Sequence, residues 1–350
     1  QYVREVLPQA SVLKLGLTYP LPRGLVREFA AGVDELYVVE ELDPFLEEQV
    51  RALGLRPTGK EIFPVTGELN PDRVAEAFGI ERPFAAVDPV AQPLPPRPPV
   101  LCAGCGHRGV FYTLSRMGVA VTGDIGCYTL GSLQPLESMD SCLCMGASVG
   151  MAQGMGIALR AGGDDRPVVG VIGDSTFVHS GITGLINAVY NGGSETILLL
   201  DNGTTAMTGH QDHPGTGLTA DGSTSPALDY AALCRAIGIT RVREVDPYDL
   251  EALEAAIGEE MASEQPSVII CRAVCRLVDR TPIAEPAALE IECPGCGTCF
   301  ELGCPALDGS SGKAVIDPSV CCGCGLCVQL CPFCGLRIEG RGAIVAEATR

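Results

Sequence analysis

The sequence predicts an α/β protein whose central part is a doubly wound parallel sheet, with a small α/β domain before it and a small cysteine-rich domain after it. Three observations carry this reading. Short apolar runs alternate with amphipathic or glycine-punctuated stretches from Ser11 to about Pro282, the pattern of strands crossing over through helices. A run dominated by proline, Asp88 to Val100, interrupts that alternation. Ten of the eighteen cysteines then crowd between Cys293 and Cys334. The resulting domains are 1–87, a linker at 88–100, 101–285 and 286–350.

Composition bounds the rest. A chain of 350 residues with 46% hydrophobic and 19% charged residues is globular and large enough for two or three domains. A formal net charge of −19 argues against nucleic acid or an anionic membrane as partner. No apolar run approaches the ~20 residues a bilayer span needs, and Gln-Tyr-Val-Arg-Glu-Val is no signal peptide. Many cysteines without an export signal point to the reducing cytoplasm and to metal ligation rather than disulfides. A first residue of Gln rather than Met suggests a processed chain or a fragment.

In the first segment, Val12 to Leu17 and Glu35 to Val39 read as strands. Asp43-Pro44 reads as N-cap and first helical residue, with Glu47 and Glu48 early in the helix and Gly54 as its stop. These residues carry no evident chemistry. The prolines of 88–100 enforce an extended connection.

The middle segment is more informative. Val168 to Ile172 is a buried-strand pattern ending in Gly173-Asp174-Ser175-Thr176, Ile182 to Tyr190 reads as a helix, and Thr196 to Leu200 is a second strand ending in Asp201-Asn202-Gly203-Thr204-Thr205. A right-handed crossover makes two such strands neighbours, so Asp174 and Asn202 are expected side by side at their carboxyl ends, where open α/β sheets bind ligands. A carboxylate, an amide oxygen and a nearby carbonyl suit magnesium completed by diphosphate oxygens and water. Gly173 lets backbone approach the phosphates. Gly-Asp at a strand end is by itself an ordinary turn; the spacing to Asn202 and the loop Thr208-Gly209-His210-Gln211 turn the reading towards a site. His179 and His210, in the loops after the two strand ends, are candidates for proton transfer or a substrate carboxylate. Gly146, Gly150 and Gly154, four residues apart, read as one close-packed helix face.

The last segment holds two cysteine runs, Cys293-x2-Cys296-x2-Cys299-x4-Cys304-Pro305 and Cys321-x2-Cys324-x2-Cys327-x3-Cys331-Pro332. The second has the spacing of a cubane cluster whose distal cysteine serves another cluster. Three closely spaced thiolates leave each site one ligand short, so the runs are expected to exchange distal cysteines. One [4Fe-4S] cluster would take Cys293, Cys296, Cys299 and Cys331, the other Cys321, Cys324, Cys327 and Cys304. The alternative, a structural zinc module, normally shows two separated Cys-x2-Cys pairs. Cys322 and Cys334 fit neither set and read as packed or spare thiols.

Together these residues resemble a family. Gly173-Asp174-Ser175 through Asp201-Asn202-Gly203 is similar to the thiamine diphosphate motif, with Ser175 in place of a usual glycine, and Thr208-Gly209-x-Gln211 resembles its variant in the 2-oxoacid:ferredoxin oxidoreductases. Cys102-Ala-Gly-Cys105-Gly-His107-Arg108, Gly123-Asp-Ile-Gly126-Cys127, Phe177-Val-His-Ser-Gly181 and Gln211-x-His213-Pro-Gly-Thr-Gly217 resemble further elements, most closely those of the large subunits of the branch that acts on indolepyruvate. The resemblance covers nearly the whole chain and implies a transketolase C-terminal-like first domain and a two-cluster ferredoxin-like last one. It implies thiamine diphosphate and Mg2+ held by Asp174, Asn202 and the carbonyl of Thr204, with Gly173, Ser175, Thr208, Gly209, Gln211, Gly126 and Cys127 around the cofactor. In several relatives Cys102, Cys105 and Cys127 would bind a third [4Fe-4S] cluster, with Cys275, or its rival Cys271, as fourth ligand. The implied reaction converts an aryl 2-oxo acid and coenzyme A to aryl-acetyl-CoA and CO2, with electrons passing to an external ferredoxin. A smaller beta subunit is implied as partner in a hetero-oligomer. The family's ylid-activating glutamate sits on an N-terminal pyrimidine-binding domain, so this chain alone is expected to be inactive. Alternatives are the same chemistry on pyruvate or branched-chain acids, or a non-catalytic electron-transfer module.

Overall fold

The computed structural model describes residues 1–81, 97–289, 292–333 and 336–338. The chain divides into two compact units, Gln1–Pro95 and Pro96–Arg350. The expected linker at 88–100 lies largely outside the described residues.

Among its described residues the first unit contains four short helices, α1 (Tyr2–Val6), α2 (Arg23–Ala31), α3 (Phe45–Arg51) and α4 (Pro71–Ala77). The strands expected at Val12 to Leu17 and Glu35 to Val39 do not form; the second contributes only an isolated parallel bridge, Tyr37 to Thr58. Their alternating apolar residues pack all the same, with Leu13, Leu15, Leu36 and Val38 set against buried Leu21, Val26 and Val50. A strand needs a hydrogen-bonded neighbour as well as a buried face, and 12–17 has none among the described residues. Helix α3 starts at Phe45 with Pro44 as N-cap, one residue later than Asp43-Pro44 suggested. Its free amides are met from outside: the Glu40 carboxylate accepts from the N–H of Leu46 at 2.7 Å and of Glu47 at 2.9 Å. Gly54, at φ +83, ends the segment as expected.

The second unit is built on a six-stranded parallel sheet: β1 (Ala120–Gly123), β2 (Ser141–Cys142), β3 (Val168–Gly173), β4 (Thr196–Asp201), β5 (Arg241–Val245) and β6 (Ser267–Arg272), in the order β2-β1-β3-β4-β6-β5. Its helices are α5 (His107–Met117), α6 (Ala147–Ala161), the single turn α7 (Asp174–Thr176), α8 (Ile182–Tyr190), α9 (Tyr230–Ile237) and α10 (Leu250–Met261). The apolar run Ile197-Leu198-Leu199-Leu200 is buried throughout because both sheet faces are covered. Leu198 and Leu200 join Phe111 and Leu114 of α5 and Leu253 and Ile257 of α10 in one core. Ile197 and Leu199 face the other way, onto Val149 of α6, Leu185 of α8 and Cys234 of α9. The doubly wound expectation therefore describes this unit.

The glycine face expected on α6 is not a packing face. Gly146 is the N-cap at φ +88, and a Cβ at Gly150 or Gly154 would meet nothing within 4 Å. Helix α6 instead buries Ser148, Val149, Ala152, Gln153 and Gly156, and the close helix approach is made from α8, where Gly184 abuts Val149.

The cysteine-rich end belongs to the same compact unit as the sheet. It contains two small antiparallel pairs, β7 (Ala288–Leu289) with β10 (Leu336–Arg337) and β8 (Leu307–Asp308) with β9 (Val315–Ile316), a 3-10 turn Thr298–Leu302 and helix α11 (Leu326–Leu330). Among the described residues no helix is long and apolar enough to cross a membrane.

Candidate functional site

Strands β3 and β4 are parallel neighbours, with Gly173 in register with Leu200, which brings Asp174 and Asn202 to one edge of the sheet. The Asp174 carboxylate is 2% exposed. Its Oδ1 accepts from the N–H of Ser175 at 2.7 Å, and its Oδ2 from those of Asn202 at 3.1 Å and Gly203 at 2.8 Å. One carboxylate thus fixes the opening of the helical segment after β3 and the turn after β4. Asn202 is held in turn, its Oδ1 accepting from the N–H of Thr204 at 3.1 Å. A carboxylate oxygen has two lone pairs, so Asp174 Oδ1 and Asn202 Oδ1 each keep one for a cation. The residues present fit a hard cation with oxygen ligands.

The loop beyond β4 closes on itself. Thr205 donates its N–H to the Gln211 carbonyl at 2.9 Å, and Gln211 Nε2 donates to the Thr208 carbonyl at 2.8 Å. The tight turn requires positive φ at Gly209 (+122) and His210 (+64). Thr205 Oγ1 donates to Ser175 Oγ at 2.8 Å, so this serine ties the two strand-end loops together.

Two histidines enter this site, and they are not the two singled out from sequence. His179 and His210 are exposed; His179 Nδ1 lies 3.0 Å from Ser180 Oγ. His107 and His213 are buried, at 6% and 8% exposure. His107, the first residue of α5, has Nε2 3.4 Å from Asn202 Nδ2, and burial pushes its pKa down to about 4, against the pull of Asp174. It is neutral at physiological pH. His213 Nδ1 accepts from the N–H of Gly215 at 3.1 Å, which puts the proton on Nε2. That atom lies 3.3 Å from Asp174 Oδ2 but is too poorly aligned for a hydrogen bond, leaving a buried polar atom without a partner. The Cys-Gly-His and Gln-x-His-Pro-Gly motifs held the signal for both residues.

Gly126 and Cys127 lie on the loop after β1, and a Cβ at Gly126 or Gly173 would collide with the ring of Tyr128. Asp124, on the same loop, is structural: Oδ1 accepts from the N–H of Ser148 at 2.8 Å and Oδ2 from its hydroxyl at 2.7 Å, capping α6.

The cysteines of the last segment line two separate cavities. One is walled by Cys293, Cys296, Cys299 and Cys331, the other by Cys304, Cys321, Cys324 and Cys327. The two runs have matching backbones. Gly295 and Gly297 in the first, and Gly323 and Gly325 in the second, all have positive φ. The first sulfur of each run accepts a backbone N–H, Cys293 from Ala314 at 3.3 Å and Cys321 from Ala287 at 3.5 Å. Among the described residues no three His, Cys, Asp or Glu side chains converge tightly enough for a single ion. The sulfurs surround spaces instead of meeting at a point. Cys322 also lines the second cavity, and a Cβ at Gly104 would collide with its sulfur. Cys334 lies outside the described residues.

Cys102 is exposed and Cys105, Cys127 and Cys275 half-buried. Burial pushes the Cys127 thiol up, with Cys275 and Cys102 nearby adding to the shift. Cys275 donates its N–H to the Asn202 carbonyl at 3.0 Å, whereas Cys271 lies in the sheet core at 3% exposure, its pKa raised by burial to about 12. Of the two rivals, Cys275 stands nearer the site.

Residues 124–271 match the thiamine pyrophosphate enzyme family, C-terminal TPP binding domain. Over 95% of its length the chain is 39% identical to the indolepyruvate oxidoreductase subunit IorA of Thermococcus kodakarensis and 38% identical to that of Archaeoglobus fulgidus. It spans 58% and 57% of those relatives' own lengths. A solved 2-oxoglutarate:ferredoxin oxidoreductase from Magnetococcus marinus aligns with 63% of the chain, over 80% of its own, at 18% identity and a TM-score of 0.43.

Proposed function

We propose that the chain, similar over 95% of its length to the indolepyruvate oxidoreductase subunits named IorA but spanning only 58% and 57% of two of them, is the thiamine diphosphate- and cluster-bearing part of an indolepyruvate:ferredoxin oxidoreductase. The proposed reaction takes an aryl 2-oxo acid, coenzyme A and two oxidised ferredoxins to the aryl-acetyl-CoA, CO2, a proton and two reduced ferredoxins. The observation that carries this reading is a shared wall. Ala103, Gly104 and Arg108, from the segment that carries His107 to Asn202, line the same cavity as Cys304, Cys321, Cys324 and Cys327. A decarboxylase that kept its electrons in the product would need no such neighbour.

When bound, thiamine diphosphate supplies a ring that stabilises the carbanion of decarboxylation, and [4Fe-4S] clusters accept electrons singly. The chain's residues supply position and charge. Asp174 and Asn202, with the Thr204 carbonyl, hold Mg2+ for the diphosphate, and Gly173, Ser175, Thr208, Gly209 and Gln211 with Gly126 and Cys127 form the surrounding loops. Neutral His107 offers Nε2 beside Asn202 without adding positive charge next to the cation. His213 holds its Nε2 proton towards Asp174. His179 and His210, exposed on the rim, are assigned to the substrate side. Cys293, Cys296, Cys299 and Cys331 take the outer cluster, Cys304, Cys321, Cys324 and Cys327 the inner one, and Cys102, Cys105, Cys127 and Cys275 a third. The complex works in the cytoplasm with a smaller beta subunit and an external ferredoxin.

The test is anaerobic reduction of ferredoxin or methyl viologen by the full subunit with its smaller partner, using a panel of 2-oxo acids. Indolepyruvate is expected to give the highest kcat/KM. A preference for pyruvate or a branched-chain acid moves the substrate and keeps the chemistry; no reduction with any acid, in a complex loaded with cofactor, overturns the proposal.

A further inference from the structure

Arg108 is 2% exposed and among the largest fully buried side chains of the protein. Its guanidinium donates to the carbonyls of Leu101 and Leu302, and at 3.2 Å to that of Cys102. Nε has no partner, and among the described residues the side chain has no ion-pair partner either. A full cation in this position is costly to desolvate and needs negative charge nearby. Three carbonyl dipoles supply part of that. Arg108 also lines the inner cavity, where it is the one charged side chain among the described lining residues apart from the cysteines. The outer cavity has no Arg, Lys or His among its described lining residues.

We propose that Arg108 is the positioning residue that joins the site loop to the inner cluster and raises that cluster's reduction potential above the value its four cysteines alone would set. The inference rests on the cluster assignment made above. Each reduction adds one electron to a cluster already carrying net negative charge, and no bond forms or breaks. A buried cation at the cavity wall favours the more negative, reduced state, and net charge is a main determinant of cluster potential. The hydrogen bond to Leu302, two residues before Cys304, fixes where the charge sits relative to the ligand.

The test is an electron paramagnetic resonance-monitored titration with dithionite of the full chain, loaded anaerobically with iron and sulfide, in parent, Arg108→Met and Arg108→Lys forms. Cys304→Ser and Cys331→Ser identify the inner and outer signals. Arg108→Met is expected to move the inner signal to lower potential and leave the outer one in place, while Arg108→Lys, which keeps the charge, stays near the parent. Arg108→Gln, which keeps amide donors for the carbonyls, serves the same comparison if the Met variant does not fold. An unchanged inner potential, or an equal shift of both signals, overturns the role of Arg108. A parent chain that takes up no pair of clusters overturns the cluster assignment instead.

Discussion

Asp174, just beyond β3, accepts a 3.1 Å hydrogen bond from the backbone N–H of Asn202, just beyond β4. The proposed cation ligand on one strand end therefore builds the turn that presents the proposed ligand on the other. Asp174→Ala removes the proposed ligand and also strands the N–H groups of Ser175, Asn202 and Gly203. Magnesium-dependent binding of thiamine diphosphate, followed by calorimetry, is expected to weaken by at least ~100-fold, with a lowered melting temperature even without cofactor. Binding at parental affinity would remove Asp174 from the site.

The two cysteine-lined cavities make the exchange of distal ligands separable. Cys331→Ser changes a wall of the cavity that holds Cys293, Cys296 and Cys299, although Cys331 follows Cys327 in sequence. Loss of the outer cluster with the inner retained is expected, and the reverse for Cys304→Ser, read as iron per chain and by which signal disappears. If Cys331→Ser instead abolishes the cluster of Cys321, Cys324 and Cys327, ligation runs within each run and the exchange is wrong.

The crossover from β3 through α8 to β4 was legible in the sequence because each part has its own signal: a continuous apolar run buried on both faces, a glycine before the ligand, and a helix read at the residues where it forms, Ile182–Tyr190. The grouping of Cys331 with the first cysteine run and of Cys304 with the second was legible for a similar reason, since the two runs repeat the Cys-x2-Cys-x2-Cys spacing. What was not legible depends on tertiary partners. Val12 to Leu17 has a strand's alternation but no strand to pair with. Gly150 and Gly154 have helical spacing, yet both are exposed. The buried histidines differ from the exposed ones only in what the fold packs over them: His107 leads a helix that lies under the core, and His210 sits on a loop tip at positive φ.

Gly104 has φ +67, and a Cβ there would run into the Cys322 sulfur. Both features penalise Gly104→Ala, by about 1–3 kcal/mol for the backbone alone. Because Cys322 lies between Cys321 and Cys324, two proposed inner-cluster ligands, the loss should appear both as a lower unfolding temperature and as faster iron release under air. A variant of parental stability would mean that Cys322 is free to move aside.

Glu195, at the amino end of β4 and 6% exposed, has Oε1 without a partner. Burial raises its pKa above the ordinary glutamate value, with Arg160 opposing weakly. A carboxyl group with a raised folded pKa binds its proton more tightly in the native state than in the unfolded one. Its stabilising contribution is complete below the unfolded pKa and is lost as pH rises through the folded pKa. At pH 7.5 the buried carboxylate is a net cost. Glu195→Gln, which fixes the neutral form, is expected to raise the melting temperature at pH 7.5 and to leave it nearly unchanged near pH 4.5, so the difference between the two proteins should shrink steadily on acidification. A melting temperature lowered by the same amount at both pH values would mean that the charged carboxylate makes a favourable contact in the native protein.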